Sequence, residues 1–165
     1  MTLNTIQSLY ERKYTTYPRV DTQHLTDDVY KECPKIMNTL FQTSFAAKKP
    51  YAELVKPLGG KPLPKSKRVF DSSKVTDHHA IIPTNVIPQG LNDAERNVYD
   101  LIARRFISVF YPECKFSTTT VLGKVDEIEF KASGKEILDE GWRVVYNQET
   151  EKQTVTEATE NNENA

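Results

Sequence analysis

The sequence has no apolar run of the ~20 residues that a membrane-spanning helix needs, and its amino terminus has no basic segment leading into an apolar one. A membrane span and a secretory leader are therefore not expected, and the reading is a soluble, cytoplasmic chain without a membrane partner. Cysteine is scarce: Cys33 and Cys114 are the two in 165 residues, and they form no C-x-x-C pair. That excludes a disulfide framework and a cysteine-based zinc site, so buried, reduced thiols are expected. Internal repeats are missing as well. Overall charge is nearly absent, at -1. What is present is a hydrophobic fraction of 38%, enough for one ordinary core and the edge of a second.

The small net charge conceals two unlike parts. Residues 1–111 hold 16 Lys or Arg against 11 Asp or Glu, a net of +5, whereas residues 112–165 hold 6 against 12, a net of -6. A basic first part suits a polyanionic partner. The final stretch, "NQETEKQTVTEATENNENA", has almost no large apolar residue after Val155. From residue 148 onward it reads as a polar, disordered tail or as an unfinished piece of a larger fold.

Along the chain, Ile6, Leu9 and Tyr10 recur at helical spacing and predict a short amphipathic helix over 2–13. "YTTYPRV" is β-branched and aromatic, and Pro18 forces Tyr17 out of the α region, so this piece should be extended. Thr26 can cap a second helix with Asp27 and Asp28 in its first turn, and Pro34 is expected to kink or restart it. Residues 46–74 are broken by Pro50, Pro57, Pro62, Pro64 and the pair Gly59-Gly60, leaving room for a short helix at "YAELV". "DHHAIIPT" is a compact apolar piece closed by Pro83. The strongest helix follows in "NDAERNVYDLIARRFISVFYP", capped by Asn92, with Val98, Leu101, Ile102, Phe106 and Val109 on one face and Pro112 at its end. Beyond it, "KFSTTTVLGKVDEIEFKASG" alternates like two strands around Gly123, and "GWRVVY" reads as a third. The layout is α+β: a helical part, 1–111, then the first strands of a β-rich part, 112–147.

One short string raises a chemical question. In the extended "TTYPRVDT", Tyr17 and Arg19 lie two positions apart and should project together, with Pro18 facing away. A tyrosine hydroxyl is a possible covalent nucleophile, and an arginine fork can bind a phosphodiester and stabilise charge building on its oxygens. The product would be a phosphotyrosine ester, whose phenol leaves far more easily than an ordinary alcohol, so the broken bond stays ready for resealing. Alone, Tyr-x-Arg in an edge strand is most often a half-buried ring beside a solvated charge, and the pair by itself has low specificity.

Together with "KVTDHHAIIPT" about sixty positions later and the "LIARRF" helix, "TTYPRVDT" resembles the active-site tyrosine region of type IA DNA topoisomerases, the topoisomerase III branch in particular. The resemblance runs from about Ile6 to about Val145. It implies a mostly helical tyrosine domain of winged-helix, CAP-like kind, followed by strands of a β-rich arch domain. It implies that Tyr17 is the nucleophile forming a 5′-phosphotyrosyl bond with a cleaved single strand, and that Arg19 positions and stabilises the scissile phosphate. His78 matches the family histidine that sits near the cleavage site and contacts DNA, while His79 matches a more variable neighbour. Asp21 and Thr22 fall on the motif's acidic and hydroxyl positions, where they shape the loop and support the phosphate. DNA binding is thus expected of Arg19, Thr22 and His78. Val20 and the pair Gln23-His24 depart from the family's usual residues.

The resemblance also implies what should lie elsewhere. The family cleaves with an acidic, Mg2+-binding domain that holds a glutamate and an Asp-x-Asp pair, and no such segment is found here. "TDD" at 26–28 reads as a helix start and "DEIEF" at 126–130 as a strand with its acids on a solvated face. The expectation is a central fragment that binds no metal itself, works with the remaining topoisomerase domains of its parent chain on single-stranded DNA, and is inactive alone. Two other readings stay open: a non-catalytic helical module that binds single-stranded DNA, and a protein-interaction domain. A relaxase is disfavoured because adjacent histidines have the wrong spacing for its metal.

Overall fold

The structure, a computed structural model, describes residues 2–44 and 50–146, and the backbone of 155–159. Two compact units are present, Met1–Tyr111 and Pro112–Ala165. The fold is mixed α+β, with helices in the first unit and a sheet in the second.

In the first unit, α1 (Thr2–Glu11) buries Leu9. It ends where Lys13 adopts a left-handed conformation (φ 65°). The Lys13 N–H then bonds Tyr10 O at 2.9 Å and the Tyr14 N–H bonds Leu9 O at 2.9 Å, the paired bonds of a Schellman turn. That turn delivers the chain into the extended segment holding Tyr17. α2 (Asp27–Gln42) is capped by the Thr26 side chain, which accepts from the Val29 N–H at 3.3 Å, and Asp27 and Asp28 occupy its first turn. Its buried residues Cys33, Ile36, Met37 and Leu40 follow the spacing of one helical face. Pro34 does not divide this helix. Its position is exposed, so water can solvate the carbonyl that loses its donor.

α3 (Tyr51–Val55) is short, and α4 (Asp93–Ser108) opens with a capping box in which Asn92 and Glu95 satisfy each other's backbone N–H. The face expected to be buried on α4 is only partly so. Phe106 is buried, but Leu101 is 64% exposed, and the buried residues include Tyr99, Ala103, Ile107 and two charged ones, Glu95 and Arg104. Arg104 binds Asp100 at 2.9 Å, and the Tyr51 hydroxyl donates to the same carboxylate at 2.6 Å. The buried face of α4 is thus offset from its hydropathic face, with the Tyr51 hydroxyl on Asp100 as a polar link to it from another element. Leu9, Leu40, Leu54 and Ile107 are fully buried, and each contributes about 1.5–3 kcal/mol of apolar burial.

In the second unit, β1 (Lys115–Val125) and β2 (Ile128–Asp139) form an antiparallel hairpin, and β3 (Val155–Thr159) pairs with β2 at Lys131–Lys135. The hairpin does not turn at Gly123. It turns at Asp126 and Glu127, with Asp126 left-handed at φ 56°. Gly123 sits inside β1 opposite Phe130, whose ring would lie 2.0 Å from a Cβ there, so the missing side chain makes room for an aromatic neighbour. The third strand expected at "GWRVVY" is instead a short 3₁₀ helix, Gly141–Val145. Gly141 is left-handed (φ 51°), with the Pro112 and Glu113 carbonyl oxygens 2.3 and 2.5 Å from where a Cβ would be. The Asp139 side chain accepts its N–H at 2.9 Å, and the Trp142 N–H bonds Pro112 O at 2.9 Å, which curls the chain instead of extending it. Within the polar tail, residues 148–154 and 160–165 lie outside the described residues.

No described helix is long and apolar enough to cross a membrane. Cys33 is buried and Cys114 half-buried, both as free thiols. Burial, with Glu32 nearby, pushes the Cys33 thiol up to about 12.

Candidate active site

The site is assembled by pairing two pieces that are far apart in sequence. The segment after α1 pairs with the "AIIPT" segment at one antiparallel bridge: Thr15 bridges Pro83, the Thr16 N–H bonds Ile82 O at 3.0 Å, and the Thr84 N–H bonds Tyr14 O at 3.0 Å. Thr16 adds a side-chain link, its hydroxyl accepting from the Ile82 N–H at 3.0 Å. A further bond from the Ala80 N–H to His24 O at 2.9 Å closes the far end. The β-branched run supplies this edge, and Pro83, having no N–H to offer, sits buried at the bridge.

This pairing stacks the rings of Tyr17 and His78, with centroids 4.2 Å apart and planes at 25°. Tyr10 meets Tyr17 from α1, nearly perpendicular at 87° and 5.3 Å. Tyr17 is half-buried, and among the described residues its hydroxyl has no hydrogen-bond partner. Next to the stacked pair opens a cleft of about 460 Å³ lined by Leu3, Pro18, Arg19, Val20, Asp21, Thr76, Asp77 and His78. Arg19 is exposed and has neither an ion pair nor a hydrogen bond among the described residues. A guanidinium left unpaired in a cleft is available to a ligand's anionic oxygens.

Of the sequence-predicted residues, Arg19 and His78 thus share the cleft, and Tyr17 adjoins it through its stack on His78. Pro18 does not simply face away: it is buried and also borders the cleft. Thr22 is committed to its own loop, donating to Lys74 O at 2.8 Å and accepting from the His24 N–H at 3.1 Å. His79 turns elsewhere, its Nδ1 donating to its neighbour's carbonyl, Ala80 O, at 2.7 Å.

Sequence reasoning missed Tyr10, Thr76 and Asp77 as neighbours of the site, and it missed the clamp behind α1. Arg12 binds Glu95 at 3.0 Å, Ser8 donates to the same carboxylate oxygen at 3.0 Å, and Arg12 also donates to Gln89 O at 2.7 Å. Burial works to raise the Glu95 carboxyl, but hydrogen bonds from the Asn92 backbone, Arg12 and Ser8 together outweigh it and hold the group below its ordinary value. The available signal was the Asn92 to Glu95 spacing, which marks a capping box but not its third and fourth partners. Among the described residues, no three His, Cys, Asp or Glu side chains are grouped to hold a metal ion.

The helical unit thus presents a half-buried tyrosine beside a cleft that holds an exposed arginine and a histidine. The chain matches the DNA topoisomerase family over residues 1–165 and belongs to it. It is similar to DNA topoisomerase 3 of Bacillus cereus, at 38% identity over 159 residues, which cover 94% of this chain and 21% of that protein. DNA topoisomerase 3 of Bacillus subtilis is 37% identical over 148 residues, or 88% of this chain and 20% of that protein. The chain spans about a fifth of the length of the curated relatives it matches.

Proposed function

We propose that the chain is the tyrosine-bearing part of a longer type IA, topoisomerase III-like enzyme of the cytoplasm, an isomerase that changes DNA topology without ATP. The observation behind this is the stack of Tyr17 on His78 beside a cleft with an unpaired Arg19. Tyr17 Oη attacks a phosphorus of single-stranded DNA and loses its proton. The bond from that phosphorus to the 3′-oxygen breaks, and a 3′-hydroxyl leaves with a proton. The 5′-phosphate remains on the tyrosine until the same hydroxyl returns, after another strand has passed through the gap.

Arg19 binds the non-bridging oxygens and stabilises their charge in the transition state. His78 holds the phenol ring and borders the phosphate. Thr22, its hydroxyl already tied to Lys74 and His24, supports the loop and so positions the residues that touch the phosphate. Mg2+ belongs to the parent enzyme, with its ligands in the other domains: Asp21 and Asp77 share the cleft with the cationic Arg19, whose charge opposes a divalent ion bound there. The isolated chain is accordingly inactive, and single-stranded DNA and those domains are its partners.

The test is Tyr17→Phe in the full-length enzyme. Covalent protein–DNA complexes disappear while single-strand binding is retained; a complex that persists overturns the assignment and leaves the non-catalytic DNA-binding reading in its place.

A further inference from the structure

Tyr17 is held by two rings, and only one of them belongs to the chemistry proposed above. The second, Tyr10, is 37% exposed, so it fills little of the core. Its contact is with Tyr17, edge to face. The two neighbours meet the Tyr17 ring at 25° and 87°, and a ring touching both cannot change rotamer without giving up one of them.

Tyr10 is itself well anchored. Ser8 on α1 and Arg12 just past its end, two residues to either side of Tyr10, both bind the Glu95 carboxylate, and the Schellman turn at Lys13 uses the Tyr10 carbonyl. The segment that bears Tyr17 leaves from that same turn. The support therefore joins α4, α1 and the nucleophile in one short chain of contacts. Among the described residues the Tyr10 hydroxyl has no hydrogen-bond partner, so the ring and not the hydroxyl makes the contact.

We infer that Tyr10 is a positioning residue, which holds the Tyr17 phenol in the rotamer that points its hydroxyl at the scissile phosphate. The inference rests on Tyr17 being the nucleophile. It separates Tyr10 from a merely structural residue, because loss of the ring should leave DNA affinity and folding alone and slow the chemical step.

The experiment compares Tyr10→Ala, Tyr10→Leu, Tyr10→Phe and Tyr17→Phe in the full-length topoisomerase. Single-turnover cleavage of a labelled single-stranded oligonucleotide is measured at saturating enzyme, affinity by fluorescence anisotropy, and folding by thermal melting. Tyr10→Ala and Tyr10→Leu are expected to cleave about 10- to 100-fold more slowly with unchanged affinity, the scale on which small misplacements of a reacting group act. Tyr10→Phe should cleave at the parental rate. Should Tyr10→Ala melt early, Tyr10→Leu, which keeps the bulk without the ring, decides the matter. Parental cleavage by both truncated variants, a loss confined to affinity, or a Phe variant as slow as the Ala variant overturns the inference while leaving Tyr17 as the nucleophile. Cleavage by Tyr17→Phe overturns both.

Discussion

Removing the Glu95 side chain should loosen the whole support of the site. In the native fold its carboxylate accepts from the Asn92 N–H at 3.3 Å, from Ser8 Oγ at 3.0 Å and from Arg12 Nη1 at 3.0 Å, with the Glu95 side chain only 8% exposed. Losing its half of the capping box costs about 0.5–1 kcal/mol. The bond from Ser8 to a charged acceptor is worth about 1.5 kcal/mol. The Arg12 side chain is 36% exposed, so solvent screening holds its ion pair to about 0.5–1 kcal/mol. Glu95→Ala should thus destabilise the chain by about 3 kcal/mol, a large share of the 5–15 kcal/mol typical of a domain. Arg12→Ala should cost less, since Glu95 keeps its other two donors.

Urea unfolding followed by circular dichroism measures both variants, and a double-mutant cycle isolates their coupling at about 0.5–1 kcal/mol. The effect also has a pH signature. The folded-state carboxyl lies below the unfolded value near 4.5, so its contribution is complete above about pH 4.5 and is lost as pH falls through the lower folded value. Stability of the parental chain should therefore drop more steeply in acid than that of Glu95→Ala. A loss under about 0.5 kcal/mol, the range of ordinary surface substitutions, or strictly additive single effects would refute the clamp.

Two further outcomes follow from the same geometry. With its thiol buried and pushed up to about 12, Cys33 should resist iodoacetamide at pH 8 in the native protein while half-buried Cys114 reacts; mass spectrometry should find one alkylated thiol before denaturation and two after it. In the full-length enzyme, Arg19→Ala should slow single-turnover cleavage about 100-fold, as loss of a transition-state donor does, with a much smaller change in single-strand affinity. Equal losses in both would make Arg19 only a phosphate anchor.

Local signals in the sequence were those with a local cause. Thr26 followed by two aspartates caps a helix, Asn92 caps another, and Pro18 keeps Tyr17 out of a helix, whatever the rest of the chain does. Longer-range features were hidden for definite reasons. Leu101 reads as core and is exposed, because α4 is oriented by Glu95 and Arg104 through partners remote in sequence or set by packing. Gly123 reads as a turn, yet it serves Phe130 across the hairpin. "GWRVVY" has strand composition, but the close approach of Pro112 and Glu113 to Gly141 curls it.

The site was legible in the same uneven way. Tyr17, Arg19 and His78 stood out through motif strings, and the structure adds how "TTYPRV" and "AIIPT" pair to place Tyr17 on His78. Tyr10 left no trace in the pattern, since at helical spacing with Ile6 and Leu9 it looks like one more apolar position of α1. Only the Schellman turn, which folds the segment back past the helix end, brings it to Tyr17.

Covalent trapping tests the central claim most directly. The full-length enzyme is allowed to cleave a short single-stranded oligonucleotide, the trapped complex is digested with nuclease and protease, and the modified peptide is sequenced by tandem mass spectrometry. The expected product is a nucleotide joined through its 5′-phosphate to Tyr17 within "YTTYPR". A nucleotide on any other residue, or joined through a 3′-phosphate, would contradict the account.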